Sequence, residues 1–272
     1  MPGYGLGYSS LLSRINGARG GGYGPLTTAW ITATGETDVT ILGALNTLES
    51  DLSTYGLTSK IKALYPMVGG TAAKHKYNFM DARDLDDAFR LVFSGGWTHS
   101  TTGALPNGSN GYADTKLIPS SNLTQNNSHI SIYNRTNTDG LYVDMGTRNA
   151  SAESILLTRW SNGTLFNHNT DYGLRMAPSN SDSRGHYIIS RRSSSDMEAY
   201  KNGSSISTSS AISNASTYSI YLSAWNDFGS PNYYTNREIS FSSIGDGLTD
   251  TEAANFYTAV QAFQTTLSRQ VI

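Results

Sequence analysis

The spacing of apolar positions changes character along the chain. Between about Asp38 and Leu64, residues Ile41, Leu45, Leu48, Leu52 and Tyr55 recur at helical spacing and share one face. Asp38 or Thr40 stands where an N-cap belongs, and Gly56 stands where a helix-ending glycine belongs, so a helix is expected there. A second short helix is expected over 59–64, running into Pro66. From Ala88 to Gly247 the period falls to two. Ala88–Phe93 opens the series, Ile130 and Ile132 alternate with Ser131 and Tyr133, and Leu141, Val143 and Met145 alternate with Tyr142 and Asp144. Segments 154–160, 172–176, 186–191, 198–201, 218–225 and 237–244 continue it. Asn107-Gly108, Asn110-Gly111, Asp139-Gly140, Asn162-Gly163 and Asn202-Gly203 supply turns between them. Roughly a dozen short strands without long intervening helices predict a mainly β fold, a jelly-roll β-sandwich.

Helical spacing returns after Leu248. Thr249 and Glu252 form a capping box, and Phe256, Val260, Phe263 and Leu267 follow as an apolar stripe, which predicts a helix over 249–268. If this helix pairs with the one beginning near Asp38, both ends of the chain gather at one pole and the opposite pole faces outward.

The stretch before about Thr37 fits neither period. Eight glycines interrupt Tyr4, Tyr8, Tyr23 and Trp30, and so many glycines oppose an isolated helix or strand. Glycine lets backbones approach closely, and tyrosine buries area at low entropic cost. The segment is therefore expected to be an extended assembly arm, with Tyr4, Tyr8, Arg14, Arg19, Tyr23 and Trp30 as its contact residues. The expected organisation is an arm over 1–37, a helical connector over 38–65, and a sandwich with its C-terminal helix over 66–272.

Composition narrows the function classes. The 272 residues carry 19 Lys and Arg against 21 Asp and Glu, a net charge of -2 that leaves no electrostatic footprint for nucleic acid. There is no Cys, hence no disulfide framework and no thiolate metal site. No apolar run approaches the ~20 residues that span a bilayer, so no membrane partner is expected. Met1-Pro2-Gly3-Tyr4-Gly5 does not read as the start of a secretory signal. Charged residues make up only 15%, and such a bias toward Gly, Tyr, Ser and Asn suits strands, turns and assembled particles.

Catalytic motifs are sparse. None of His75, His99, His129, His168 and His186 stands in a metal-ligand arrangement, and no G-x-S-x-G elbow occurs. Glycoside hydrolysis needs two carboxylates about 5–9.5 Å apart. The nearest strand pair, Asp196 and Glu198, reads as a solvated strand face. Asp81, Asp84, Asp86 and Asp87 lie among Arg83 and Arg90, which suggests a turn in which Asp84 caps and pairs with an arginine. No enzyme is expected; a glycan-degrading jelly-roll enzyme is the alternative. Aromatic faces stack on sugar rings, and amide and carboxylate side chains grip hydroxyls. The glycan-binding candidates are accordingly Trp97, Tyr112, Trp160, Trp225, Tyr233 and Tyr234, with Asn110, Asp114 and Asn226 beside them.

His186–Arg191 followed by Glu198-Ala199-Tyr200-Lys201-Asn202-Gly203 resembles the concanavalin A-like, or laminin G-like, jelly-roll module, in which a strand runs into such a hairpin. Flanking strings resemble those of bacteriophage virion proteins that carry the module: Ala63–Gly70, Asp84–Leu91, Gly108–Thr115, Ile244–Asp250 and Ala259–Leu267. The resemblance spans roughly Ala63 to Val271. It implies a non-enzymatic virion structural protein of a tail, head fibre or capsid decoration, made in the host cytoplasm. Its partners would be other virion proteins, copies of itself and host-surface polysaccharide. No cofactor is expected: relatives of this kind hold Ca2+ in edge loops, but no ligand motif here supports it.

Overall fold

The computed structural model describes residues 22–271. Tyr4, Tyr8, Arg14 and Arg19 of the expected arm lie outside the described residues. Helix α1 spans Pro25–Thr34 and α2 spans Val39–Thr54. Sixteen strands follow: β1 (Ile61–Tyr65), β2 (Val92–Ser94), β3 (Trp97–Ser100), β4 (Gly103–Pro106), β5 (Tyr112–Asp114) and β6 (Ser128–Asn134) come first. Next are β7 (Met145–Arg148), β8 (Ala152–Trp160), β9 (Gly163–Asp171), β10 (Gly185–Ser193), β11 (Asp196–Lys201) and β12 (Ser204–Ser209). The last are β13 (Tyr221–Leu222), β14 (Trp225–Asp227), β15 (Ser230–Asn232) and β16 (Ile239–Gly245), before helix α3 (Asp250–Thr266).

The strands form the two sheets of a sandwich. Sheet I has the order β12-β11-β10-β6-β16-β4-β3, with β1 alongside β16; sheet II has the order β15-β14-β7-β13-β5-β2, with the β8–β9 hairpin joined through β7. Ile130, Ile132, Tyr187 and Ile189 of sheet I meet Met145, Leu156, Phe166 and Leu222 of sheet II in one buried core. The opposite face of sheet I is not solvated. Tyr133, Ile188, Tyr200 and Phe241 pack there against Trp30, Leu45, Leu48, Phe256 and Phe263 of the three helices. Helices α2 and α3 pair with each other and also pack on sheet I, so they cover a face of the sandwich rather than a pole. The surface left uncovered is the outer face of sheet II.

The expected arm needs correction from Pro25 onward. Helix α1 begins with proline at its first position, and the Glu49 carboxylate of α2 caps it from outside. Leu26 and Thr27 donate their backbone N–H to Glu49 at 3.0 and 2.9 Å, and the Thr27 hydroxyl donates at 2.7 Å. A Cβ on Gly24 would meet that carboxylate at 2.4 Å, so this glycine serves close approach. Trp30 is fully buried in the helix-layer core, while Tyr23 packs at its edge. Local propensity in the Thr-rich segment 27–34 is weak; burial of Trp30 and the distant cap stabilise the helix.

The short helix expected over 59–64 is also corrected. Ile61–Tyr65 is strand β1, paired antiparallel with β16, because Ile61, Ala63 and Leu64 all find buried positions there. Segment 172–176 is a loop joined to β9 by the Phe166–Met176 bridge, and Leu141 and Val143 precede rather than enter β7. Asp84 does not cap: the turn at Asp86–Ala88 follows Leu85, and Asp84 pairs with Arg90 at 2.9 Å and with Lys76.

The capping box of α3 is present in both directions, with Glu252 N–H donating to the Thr249 hydroxyl and Thr249 N–H donating to the Glu252 carboxylate at 2.9 Å. Replacing Thr249 by alanine is expected to lower unfolding stability by about 1 kcal/mol. Urea denaturation checks this, and an unchanged midpoint would refute the role of the cap.

Candidate functional site

The uncovered face of sheet II carries a cleft of about 210 Å³. Period-two geometry builds its floor. Glu153, Ile155 and Leu157 of β8 share one face of the strand, and across the hairpin Ile155 stands opposite Asn167 and Leu157 opposite Leu165. Val143, Ile155, Leu157 and Trp225 form a small apolar cluster of their own, separate from the inter-sheet core. Strand β14 runs parallel to β7, with Trp225 opposite Gly146 and Asp227 opposite Arg148. A Cβ on Gly146 would lie 2.5 Å from the Ser154 carbonyl oxygen and 2.9 Å from the Trp225 ring, so glycine is what leaves room for the indole there.

Two arginines frame this floor, each fixed by a carboxylate. Arg148 donates to both oxygens of Asp227, with Nη2 at 2.8 Å, and its Nη1 donates to the Tyr172 hydroxyl at 2.8 Å. Its guanidinium sits 4.2 Å from the Trp225 ring centroid. Arg175 donates from Nε and Nη2 to Glu153 at 2.8 and 2.7 Å, and Glu153, wholly buried, also accepts from the backbone N–H of Gly173 at 3.0 Å. The hydrogen bonds to Asp227 and Glu153 hold both guanidiniums above the usual arginine range. Bidentate pairs of this kind fix geometry as well as charge.

Exposed apolar surface is concentrated at this place. Among the described residues, ten large apolar side chains are exposed. Leu141, Trp160, Tyr172 and Tyr233 line the cleft, Leu174 and Ile212 line a groove that adjoins it at Arg175, and the Phe228 ring lies 5.2 Å from the Arg148 guanidinium. Seven of the ten thus gather around this cleft and the groove beside it.

The sequence candidates separate into two groups. Trp160, Trp225 and Tyr233 line the cleft. Trp160 and Tyr233 are 42% and 39% exposed, whereas Trp225 is 4% exposed and lies under Arg148, so it forms the floor and leaves stacking to its neighbours. The others are not part of the cleft lining. Trp97 packs on Phe93 and His99, and its Nε1 donates to the Ser94 carbonyl at 3.0 Å. Asn110 ties its turn to the 95–96 loop, accepting from Asn107 Nδ2 at 2.8 Å and from Gly96 N–H at 2.9 Å. Tyr112 stacks on Tyr221, and Asp114 pairs with Lys116 at 3.0 Å. Asn226 is buried and holds the 226–229 turn, donating to Ser219 and accepting from Gly229 N–H. Tyr234 bridges to Val143 through the backbone. Asp196 and Glu198, read as a solvated face, converge on Arg192 at 2.9 and 2.7 Å, and Glu198 is buried.

Arg148, Tyr172 and Arg175 escaped sequence reasoning. One signal was available: Glu153 precedes the apolar run Ile155-Leu156-Leu157 in a strand, and a carboxylate at a buried strand position requires a cation.

No protein-family model matches this chain, and no curated protein matches it. Among solved structures, it is similar to the CBM40 module of the Ruminococcus gnavus IT-sialidase bound to α2,3-sialyllactose. The identity is 15% and the TM-score 0.40, over 48% of this chain and 82% of that one. It is also similar to domain 4 of AbnA, an extracellular GH43 arabinanase from Geobacillus stearothermophilus, in complex with arabinotriose. There the identity is 12% and the TM-score 0.41, over 72% of this chain and 98% of that one. A mutant NanB sialidase from Streptococcus pneumoniae gives 13% identity and a TM-score of 0.43 over 59% of this chain. This chain covers 27% of that sialidase.

Proposed function

We propose that this chain is a carbohydrate-binding β-sandwich that docks a sugar on the outer face of sheet II. The carrying observation is the gathering of exposed Trp160, Tyr172 and Tyr233 over a floor pre-organised by the Arg148–Asp227 and Arg175–Glu153 pairs. Rigid aromatic rings supply apolar area for the C–H face of a sugar, and flanking polar groups orient it. Binding without turnover fits the same geometry. Both Asp227 oxygens and both Glu153 oxygens accept from guanidinium N–H groups, so neither carboxylate is free to serve as the acid or base of glycoside hydrolysis.

The strings between Ala63 and Val271 that resemble bacteriophage virion proteins support a setting for this face. We place it on a virion, as a fibre, tail-tip or decoration component that binds host-surface polysaccharide, with the N-terminal residues as its attachment. Mass spectrometry of purified particles tests the setting, and particles lacking the chain would refute it.

A glycan array probed with the purified chain tests the binding. Trp160→Ala and Tyr233→Ala are each expected to weaken binding by about tenfold or more, equivalent to about 1.4 kcal/mol. Trp97→Ala, not part of the cleft lining, serves as the comparison and is expected to leave the signal unchanged. Absence of any signal, or a signal indifferent to both cleft substitutions, would remove the proposal.

A further inference from the structure

We infer that the cleft selects neutral sugars over acidic ones. This rests on the reading of sheet II as a glycan-binding face and deepens it. Sugar-binding surfaces handle charge through uncommitted cations, because a carboxylate that loses water needs a compensating partner. Arginine in a cleft would ordinarily suggest an acidic ligand. Here Arg148 and Arg175 are the charged residues of the lining, and each is matched by its own carboxylate. The charge of the frame, two guanidiniums against Asp227 and Glu153, sums to zero.

The pairs are also committed geometrically. All three nitrogens of Arg148 are engaged, two by Asp227 and one by the Tyr172 hydroxyl. Arg175 spends Nε and Nη2 on a fully buried Glu153, which cannot swing away to admit a competing anion. Nη1 of Arg175 is left as a donor, suited to a hydroxyl. The exposed rings add to this preference, since the face of an aromatic ring carries the negative end of its quadrupole and disfavours an anion lying on it. An acidic sugar would therefore meet two guanidiniums already matched by Asp227 and Glu153, with no unpaired cation to compensate its carboxylate. A neutral ring can stack its C–H face and hydrogen-bond its hydroxyls.

The test uses the full chain on an array of matched glycans, each scaffold present with and without a terminal sialic acid. The neutral members are expected to bind about tenfold tighter than their sialylated counterparts. Sialylated members that bind equally well or better would overturn the inference while leaving glycan binding intact. An array silent for every glycan would overturn both. Asp227→Asn supplies the causal arm: it removes one negative charge and leaves Arg148 partly unmatched. Once thermal unfolding shows the variant to be folded, its ratio of neutral to sialylated binding is expected to fall by about tenfold. A ratio unchanged in the folded variant would show that the ion pairs do not set the preference.

Discussion

Replacing Asp144 by alanine is expected to reduce stability by about 3–5 kcal/mol, a large share of what an ordinary domain possesses. Asp144 and Arg237 are both fully buried, and Nη1 of Arg237 donates to Oδ2 of Asp144 at 2.9 Å. The same oxygen accepts from the backbone N–H and the hydroxyl of Thr158, at 2.8 and 2.9 Å. Arg237 donates further to the carbonyls of Thr138, Tyr142 and Arg159. Removing the carboxylate leaves a buried guanidinium uncompensated and two donors of Thr158 without an acceptor. The pair also ties segment 138–144, which carries Leu141 and Val143 of the cleft, to the end of β8. Urea denaturation measures the loss, and glycan binding should weaken along with it. A change below about 1 kcal/mol would mean that the pair is dispensable.

Acid should unfold the protein before its carboxylates titrate. Burial pushes His75 and His186 down to about 3 and His129 to about 4, and burial beside the Arg191 guanidinium pushes His168 well below its ordinary range. A histidine that resists protonation in the fold, yet accepts a proton near pH 6.5 when unfolded, favours the unfolded state as pH falls. The stability is whole above pH 6.5 and is lost on the way down toward 3–4. Each such group weakens folding by on the order of 1 kcal/mol per pH unit, so the four together remove several kcal/mol by about pH 5. Circular dichroism against pH is expected to show one cooperative loss in that region. Survival of the native signal below about pH 3 would contradict it. His186→Phe should move the transition to lower pH. Its ring sits among Tyr133, Phe241, Phe256 and Tyr257, with both nitrogens buried and unpartnered. Phenylalanine removes those orphaned atoms along with the proton site.

Several elements are legible in the sequence alone. Helices α2 and α3 announce themselves through caps and spacing, with Asp38 accepting from Thr40 N–H at 2.8 Å as expected. The Asn202-Gly203 hairpin lies where its dipeptide says, with φ of 51° and 76° between the paired Lys201 and Ser204. The Asn162-Gly163 signal proves one residue off. Ser161 and Asn162 take the positive φ, at 51° and 60°, and Gly163 pairs with Trp160. That shift ends β8 at Trp160 and leaves its ring on the rim of the cleft.

Local chemistry thus settled the two long helices with their caps and the Asn202-Gly203 turn, because each depends on neighbours within a few positions. Tertiary structure alone decided the rest. Helix α1 exists through Glu49, more than twenty positions away, and through the burial of Trp30. Arg148 and Asp227 stand 79 positions apart, and Arg175 and Glu153 stand 22 apart. The first pair meets through a parallel pairing of β7 with β14, and the second through a loop folded back over β8. Three helices cover sheet I, and so the aromatic residues of sheet II became the displayed ones. Periodicity names the face of a strand on which a residue lies; which face stays open depends on what the remainder of the chain covers.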